Sequence, residues 1–93
     1  ILSSENTTPV LINPFFIPNP ARNSATFVYQ LEEAAIGTLI LTDEFGHVML
    51  SQNLNASEVR ATVSTLKLHD GVYFFKLLSN DVIKGKGKLI IIK

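Results

Sequence analysis

Ninety-three residues, 46% hydrophobic and 17% charged, make one globular domain and leave no room for a second. The chain has no cysteine, which excludes a disulfide framework and a thiolate metal site and leaves the compartment unmarked by redox chemistry. Net charge is zero, but residues 1–59 carry one basic against six acidic side chains and residues 60–93 seven against two, too few scattered cations for a nucleic-acid surface.

The opening stretch ILSSENTTPV is mostly polar and has no periodicity, so it reads as a solvated linker, with order expected to begin near Val10. It has neither the basic start nor the long apolar run of a signal peptide. Without an initiator Met, the chain is expected to be the end of a longer protein. Residues 1–12 are accordingly assigned as a linker to an upstream domain, and residues 13–93 as the folded unit.

Pro14, Pro18 and Pro20 forbid a helix and a central strand, leaving an extended edge segment that turns at Pro18-Asn19-Pro20. In SATFVYQL, Phe27, Tyr29 and Leu31 alternate with Thr26, Val28 and Gln30, a strand by period and by composition. LEEAA is too short to nucleate a helix and is a connection. The next eighteen residues, GTLILTDEFGHVMLSQNL, read as a hairpin. Leu39 and Leu41 share a face, Asp43-Glu44-Phe45-Gly46 turns, and Val48, Leu50 and Leu54 resume the alternation. Asp43 suits the first position of a type I turn, and Gly46 the bulge position that needs φ > 0.

In EVRATVSTL, Val59, Ala61 and Val63 share a face until Leu66 and Leu68 fall out of phase, which ends the strand near Thr65. After a second turn glycine, Gly71, the chain is apolar on both faces. Tyr73, Phe75 and Leu77 oppose Val72, Phe74 and Leu78, which predicts a central strand. The last strand, VIKGKGKLIIIK, is too short in its apolar run for a membrane anchor, which takes about twenty residues. Its alternation puts Lys84, Lys86, Lys88, Ile90 and Ile92 on one face and Ile83, Gly85, Gly87, Leu89 and Ile91 on the other. Lysines on an edge strand discourage sheet-to-sheet aggregation, and they equally display a basic stripe to a partner. About seven short strands with turns every ten residues or so predict an all-β antiparallel sandwich, with a closed barrel as the alternative.

Candidate chemistry is thin. Glu32 and Glu33 are neighbours in extended chain and point apart, so they do not form a carboxylate pair. His69-Asp70 has no nucleophile in a suitable context and reads as a polar turn. His47 and His69 do not by themselves make a zinc site, and Asp43-Glu44-Phe45-Gly46 has no phosphate loop before it. No catalytic, metal or cofactor residues are assigned, and the chain is not expected to be an enzyme.

Four stretches in order carry a resemblance: Pro18-Asn19-Pro20, the Asp43 to Gly46 turn with Val48, the Gly71-Val72-Tyr73 strand, and the basic and aliphatic terminus from Lys84 to Lys93. Together they resemble the C-terminal sorting domain, type A, of the type IX secretion system of Bacteroidota, over about 80 residues. Gly37, Thr38, Thr42 and His47 depart from the usual pattern. The resemblance implies an immunoglobulin-like sandwich that directs an attached cargo from the periplasm across the outer membrane to the cell surface or the medium. Its implied partners are an outer-membrane translocon or shuttle, a surface sortase that removes the domain, and the cargo upstream in the same chain. No nucleic acid, transmembrane segment or cofactor is implied. The residues expected to be recognised are Lys84, Gly85, Lys86, Gly87, Lys88, Leu89, Ile90, Ile91, Ile92 and Lys93. A retained domain of the attachment machinery, an immunoglobulin-like spacer or adhesion module, and a carbohydrate-binding sandwich using Phe15, Phe16 and Phe74 are the alternatives.

Overall fold

The alternation of large apolar with small or polar residues becomes seven strands in the computed structural model, which describes residues 13–93. They are β1 (Phe15–Ile17), β2 (Ser24–Val28), β3 (Gly37–Thr42), β4 (Val48–Leu54), β5 (Arg60–Ser64), β6 (Gly71–Ser79) and β7 (Val82–Ile91). No helix forms among the described residues. The order is β1-β2-β5 in a three-stranded sheet and β4-β3-β6-β7 in a four-stranded one, every strand pair antiparallel. This is the expected all-β, immunoglobulin-like sandwich. Where order begins upstream, near Val10 or elsewhere, lies outside the described residues.

One face of each sheet is apolar and the two close on each other. Phe16 of β1, Phe27 of β2 and Phe75 of β6 meet at the centre, with ring centroids 4.8, 5.3 and 5.3 Å apart. Contacts of this kind add about 0.5–1.5 kcal/mol each beyond burial. Leu39, Leu41, Leu77, Leu89, Ile91 and Val63 fill the space around them. Tyr29 and Leu31 keep the alternation of β2 although ladder pairing stops at Val28, so both stay buried. The Tyr29 hydroxyl, inside the fold, donates to the Asn55 carbonyl at 2.9 Å.

Three alternation-based expectations fail, two of them at bulges. Leu41 pairs Leu50 while Thr42 pairs Val48, so Met49 is the extra residue and Val48 turns outward, 62% exposed. Leu77 pairs Gly85 while Leu78 pairs Ile83, so Lys84 is the extra residue of β7. Ile83, expected on the core face, is therefore 53% exposed on the outer one. A bulge puts two residues opposite one and reverses the facing of everything beyond it. Val59 sits one residue before β5 and is exposed, so only Val63 and the half-buried Ala61 serve that face.

Candidate functional site

β7 is an edge strand whose two faces have different work. On the inner face Leu89 and Ile91 are 0% exposed. The glycines between the lysines belong to this face. A Cβ at Gly85 would lie 2.5 Å from Pro14 Cγ, and one at Gly87 2.7 Å from Phe75 Cε2 and Cζ. Both are closer than van der Waals contact permits, so Pro14 and Phe75 occupy the room that missing side chains leave. The alternation of lysine and glycine is thus half structural: on the inner face the glycines leave room for Pro14, just before β1, and for the Phe75 ring of the neighbouring strand β6, while the lysines face away.

On the outer face, cross-strand register sets Lys86 opposite Lys76, Lys88 opposite Phe74 and Ile90 opposite Val72. Phe74 is 42% exposed there. Phe74, Lys76, Lys86 and Lys88, with the backbone of Phe75 and Gly87 between them, line a cleft of about 340 Å³. Among the described residues the one lysine or arginine with a carboxylate within 4 Å is Lys84, against Glu32, so Lys76, Lys86 and Lys88 have no counter-charge in contact. Lys84, in the bulge, holds its ammonium 3.5 Å from Glu32 Oε1. Lys93 differs from the others. Its ammonium donates to the carbonyls of Thr65 and Leu66 at 2.9 Å each, and its N–H donates to Asp70 Oδ1 at 3.1 Å. It ties the strand end to the fold instead of facing outward.

Pro18-Asn19-Pro20 is brought against this strand. Both prolines follow cis peptide bonds. Asn19 Nδ2 donates to the Lys88 carbonyl at 3.0 Å, and the Ile90 N–H donates to Asn19 Oδ1 at 2.9 Å. One step on, Ala21 N–H donates to the Ile90 carbonyl at 2.8 Å and Ile92 N–H to the Ala21 carbonyl at 2.9 Å, a short parallel bridge. The Asn19 side chain stands in for a peptide unit, and with Ala21 it closes the outer edge of β7 from Lys88 to Ile92. Among the described residues no strand pairs with the outer edge of β7 from Val82 to Lys86.

The other motif residues shape the β3–β4 turn and the start of β6. Asp43 Oδ1 accepts from the N–H groups of Phe45 and His47 at 2.9 Å each, Oδ2 lies 3.0 Å from His47 Nδ1, and Gly46 N–H closes the turn on the Asp43 carbonyl at 3.1 Å. Gly46 has φ 88°, as the turn demands. Partial desolvation pushes the Asp43 carboxyl up. The His47 N–H, the His47 imidazole and the Phe45 N–H together outweigh it and hold the group below its usual value. Gly71 opens β6, and the Tyr73 hydroxyl two residues later donates to the His69 carbonyl at 2.7 Å. The His69 carbonyl thus anchors the turn, and Asp70 acts through its side chain on the Lys93 N–H.

The aromatic platform needed for sugar binding does not assemble. Phe16 is 4% exposed, inside the core, while Phe15 and Phe74 belong to different sheets. No helix among the described residues is long and apolar enough to cross a membrane. Two contributions to the site escape a reading of the sequence alone: Asn19 as an edge clamp, and Lys76 as the third member of the lysine cluster. The even spacing of Val72, Phe74 and Lys76 on one face of β6 was the available signal for the latter.

The fold is an immunoglobulin-like sandwich whose edge strand carries exposed lysines. The model of the secretion-system C-terminal sorting domain family matches residues 16–93, and the chain belongs to that family, the sorting domains of type IX secretion. Among curated proteins none matches the chain. Membership implies interaction with secretion machinery and with an upstream cargo, and export toward the cell surface or the medium.

Proposed function

We propose that the domain works as a sorting signal read at β7. The cargo, joined through residues 1–12, folds in the periplasm and is carried across the outer membrane by machinery that engages the outer face of this strand. A surface sortase then cuts within the linker. The observation that carries this reading is the division of labour within β7. Leu89 and Ile91 are fully buried, whereas Lys86 and Lys88 project from the same strand with no counter-charge in contact among the described residues. A strand needed only for the core does not need that cationic face, since solvated lysines contribute little to stability. The two glycines and the Asn19 clamp hold the strand flat against the sandwich, which presents the lysines in a fixed register.

The test is a reporter placed between a signal peptide and residues 1–93 in a host that has this secretion system. The reporter is expected on the surface, with a mass lacking the domain. A reporter held in the periplasm with the domain folded would overturn the reading in favour of a spacer. A reporter that reaches the surface with the domain attached would favour a retained domain.

A further inference from the structure

The outer face of the four-stranded sheet carries a pattern finer than general basicity. Its rows, read along β6 and β7, are Lys76 with Lys86, then Phe74 with Lys88, then Val72 with Ile90. Rows on one face repeat every two residues, roughly 6.7 Å, and partners within a row stand about 5 Å apart. Lys76 directly opposite Lys86 is a like-charge pair, an arrangement that weakens a sheet and that neither Glu32 nor any other described carboxylate relieves. The cleft between these side chains has an aromatic wall in Phe74.

We propose that this face binds an extended acidic protein segment, with carboxylates at two alternate positions and an apolar side chain at the next. The proposal rests on the reading of β7 as the recognised strand, and it adds Lys76 and Phe74 of β6 together with the chemistry of the partner. The repeat of the rows matches the repeat of side chains on one face of a β-strand. An extended segment lying along β7 therefore meets cation, cation with aromatic, and aliphatic pair in turn. Docking onto the face also avoids the edge, where Asn19 and Ala21 already occupy the hydrogen-bonding groups from Lys88 to Ile92. A polyanion without apolar groups satisfies the lysines and leaves Phe74, Val72 and Ile90 unused.

The experiment is an NMR titration of the 93-residue chain with a peptide repeating Glu-Thr-Glu-Thr-Val-Thr. Controls are a peptide of the same composition in scrambled order, one with Gln in place of Glu, dextran sulfate, and phosphatidylglycerol vesicles. The patterned peptide is expected to shift the signals of Phe74, Lys76, Lys86 and Lys88. Its binding should weaken about tenfold in K76Q and more in K76Q/K88Q, and fall as salt rises. Both variants should melt at or slightly above the native chain, since Lys76→Gln removes the like-charge pair with Lys86. Equal binding of the scrambled peptide, tighter binding of dextran sulfate or vesicles at the same residues, or patterned binding undiminished in K76Q/K88Q would each overturn the proposal. No binding of the patterned peptide, in a domain that still delivers the reporter to the surface, would overturn this inference alone. Binding by a domain that leaves the reporter in the periplasm would overturn the sorting reading instead.

Discussion

Asn19 and Ile90, 71 residues apart in the chain, are joined as two strands are joined: the Ile90 N–H donates to Asn19 Oδ1 at 2.9 Å. The same amide returns a hydrogen bond to the Lys88 carbonyl at 3.0 Å, so a side chain does the work of a peptide group on an otherwise open edge. Asn19→Ala should cost about 1 kcal/mol, at the lower end for two hydrogen bonds because water reaches the groups set free. The local effect should be larger than the global one. Amide hydrogen exchange at Ile90 is expected to speed up well beyond the change in the urea midpoint, and unchanged exchange there would contradict the clamp.

The glycines of β7 make a second prediction. Gly87→Ala and Gly85→Ala put a Cβ against the Phe75 ring and Pro14, respectively, and should destabilise the domain by roughly 1–3 kcal/mol through overpacking. If the glycines served only as flexible spacers, alanine would be neutral or stabilising in a denaturation experiment.

At Gly46 the reason for glycine is different. Nothing lies within 4 Å of a Cβ placed there, so backbone strain at φ 88° is the whole cost of a side chain. Gly46→Val should cost roughly 1–3 kcal/mol, and Gly46→Asn clearly less because Asn tolerates the left-handed region. Equal denaturation midpoints for the two variants would count against the turn geometry.

Much of this fold is legible in the sequence because a half-buried strand has period two, which locates Phe27, Leu39, Leu41, Tyr73, Phe75, Leu77, Leu89 and Ile91 in the core. The period stops being informative at a bulge. Met49 and Lys84 look like any other strand residues, yet each reverses the facing of its neighbours, which is why Val48 and Ile83 point to solvent. The site was less legible because it is made by pairing. Lys76 joins Lys86 only through cross-strand register, Asn19 reaches β7 only across the whole chain, and Lys93 meets Thr65 and Leu66 only after folding.

Acid should loosen the β3–β4 hairpin. The Asp43 carboxyl titrates lower in the folded than in the unfolded chain, so its contribution is present above the unfolded value of about 3.9 and is lost as pH falls through the folded one. Urea midpoints measured from roughly pH 6 to 2 should fall less steeply in Asp43→Asn than in the native chain. Parallel curves would show that Asp43 is not linked to folding.

The central claim is that β7 folds with one face and is recognised by the other, and the most direct measurement is a surface-protein assay run beside a thermal melt for two variants of the reporter fusion. Leu89→Ala removes a fully buried side chain and should cost about 2–5 kcal/mol. Lys86→Gln with Lys88→Gln alters solvated charge and should move stability by under about 0.5 kcal/mol. The account predicts that the lysine variant melts with the native domain yet leaves the reporter largely in the periplasm. A lysine variant that melts normally and reaches the surface at the native level would contradict it, leaving the lysines as a guard against sheet-to-sheet aggregation.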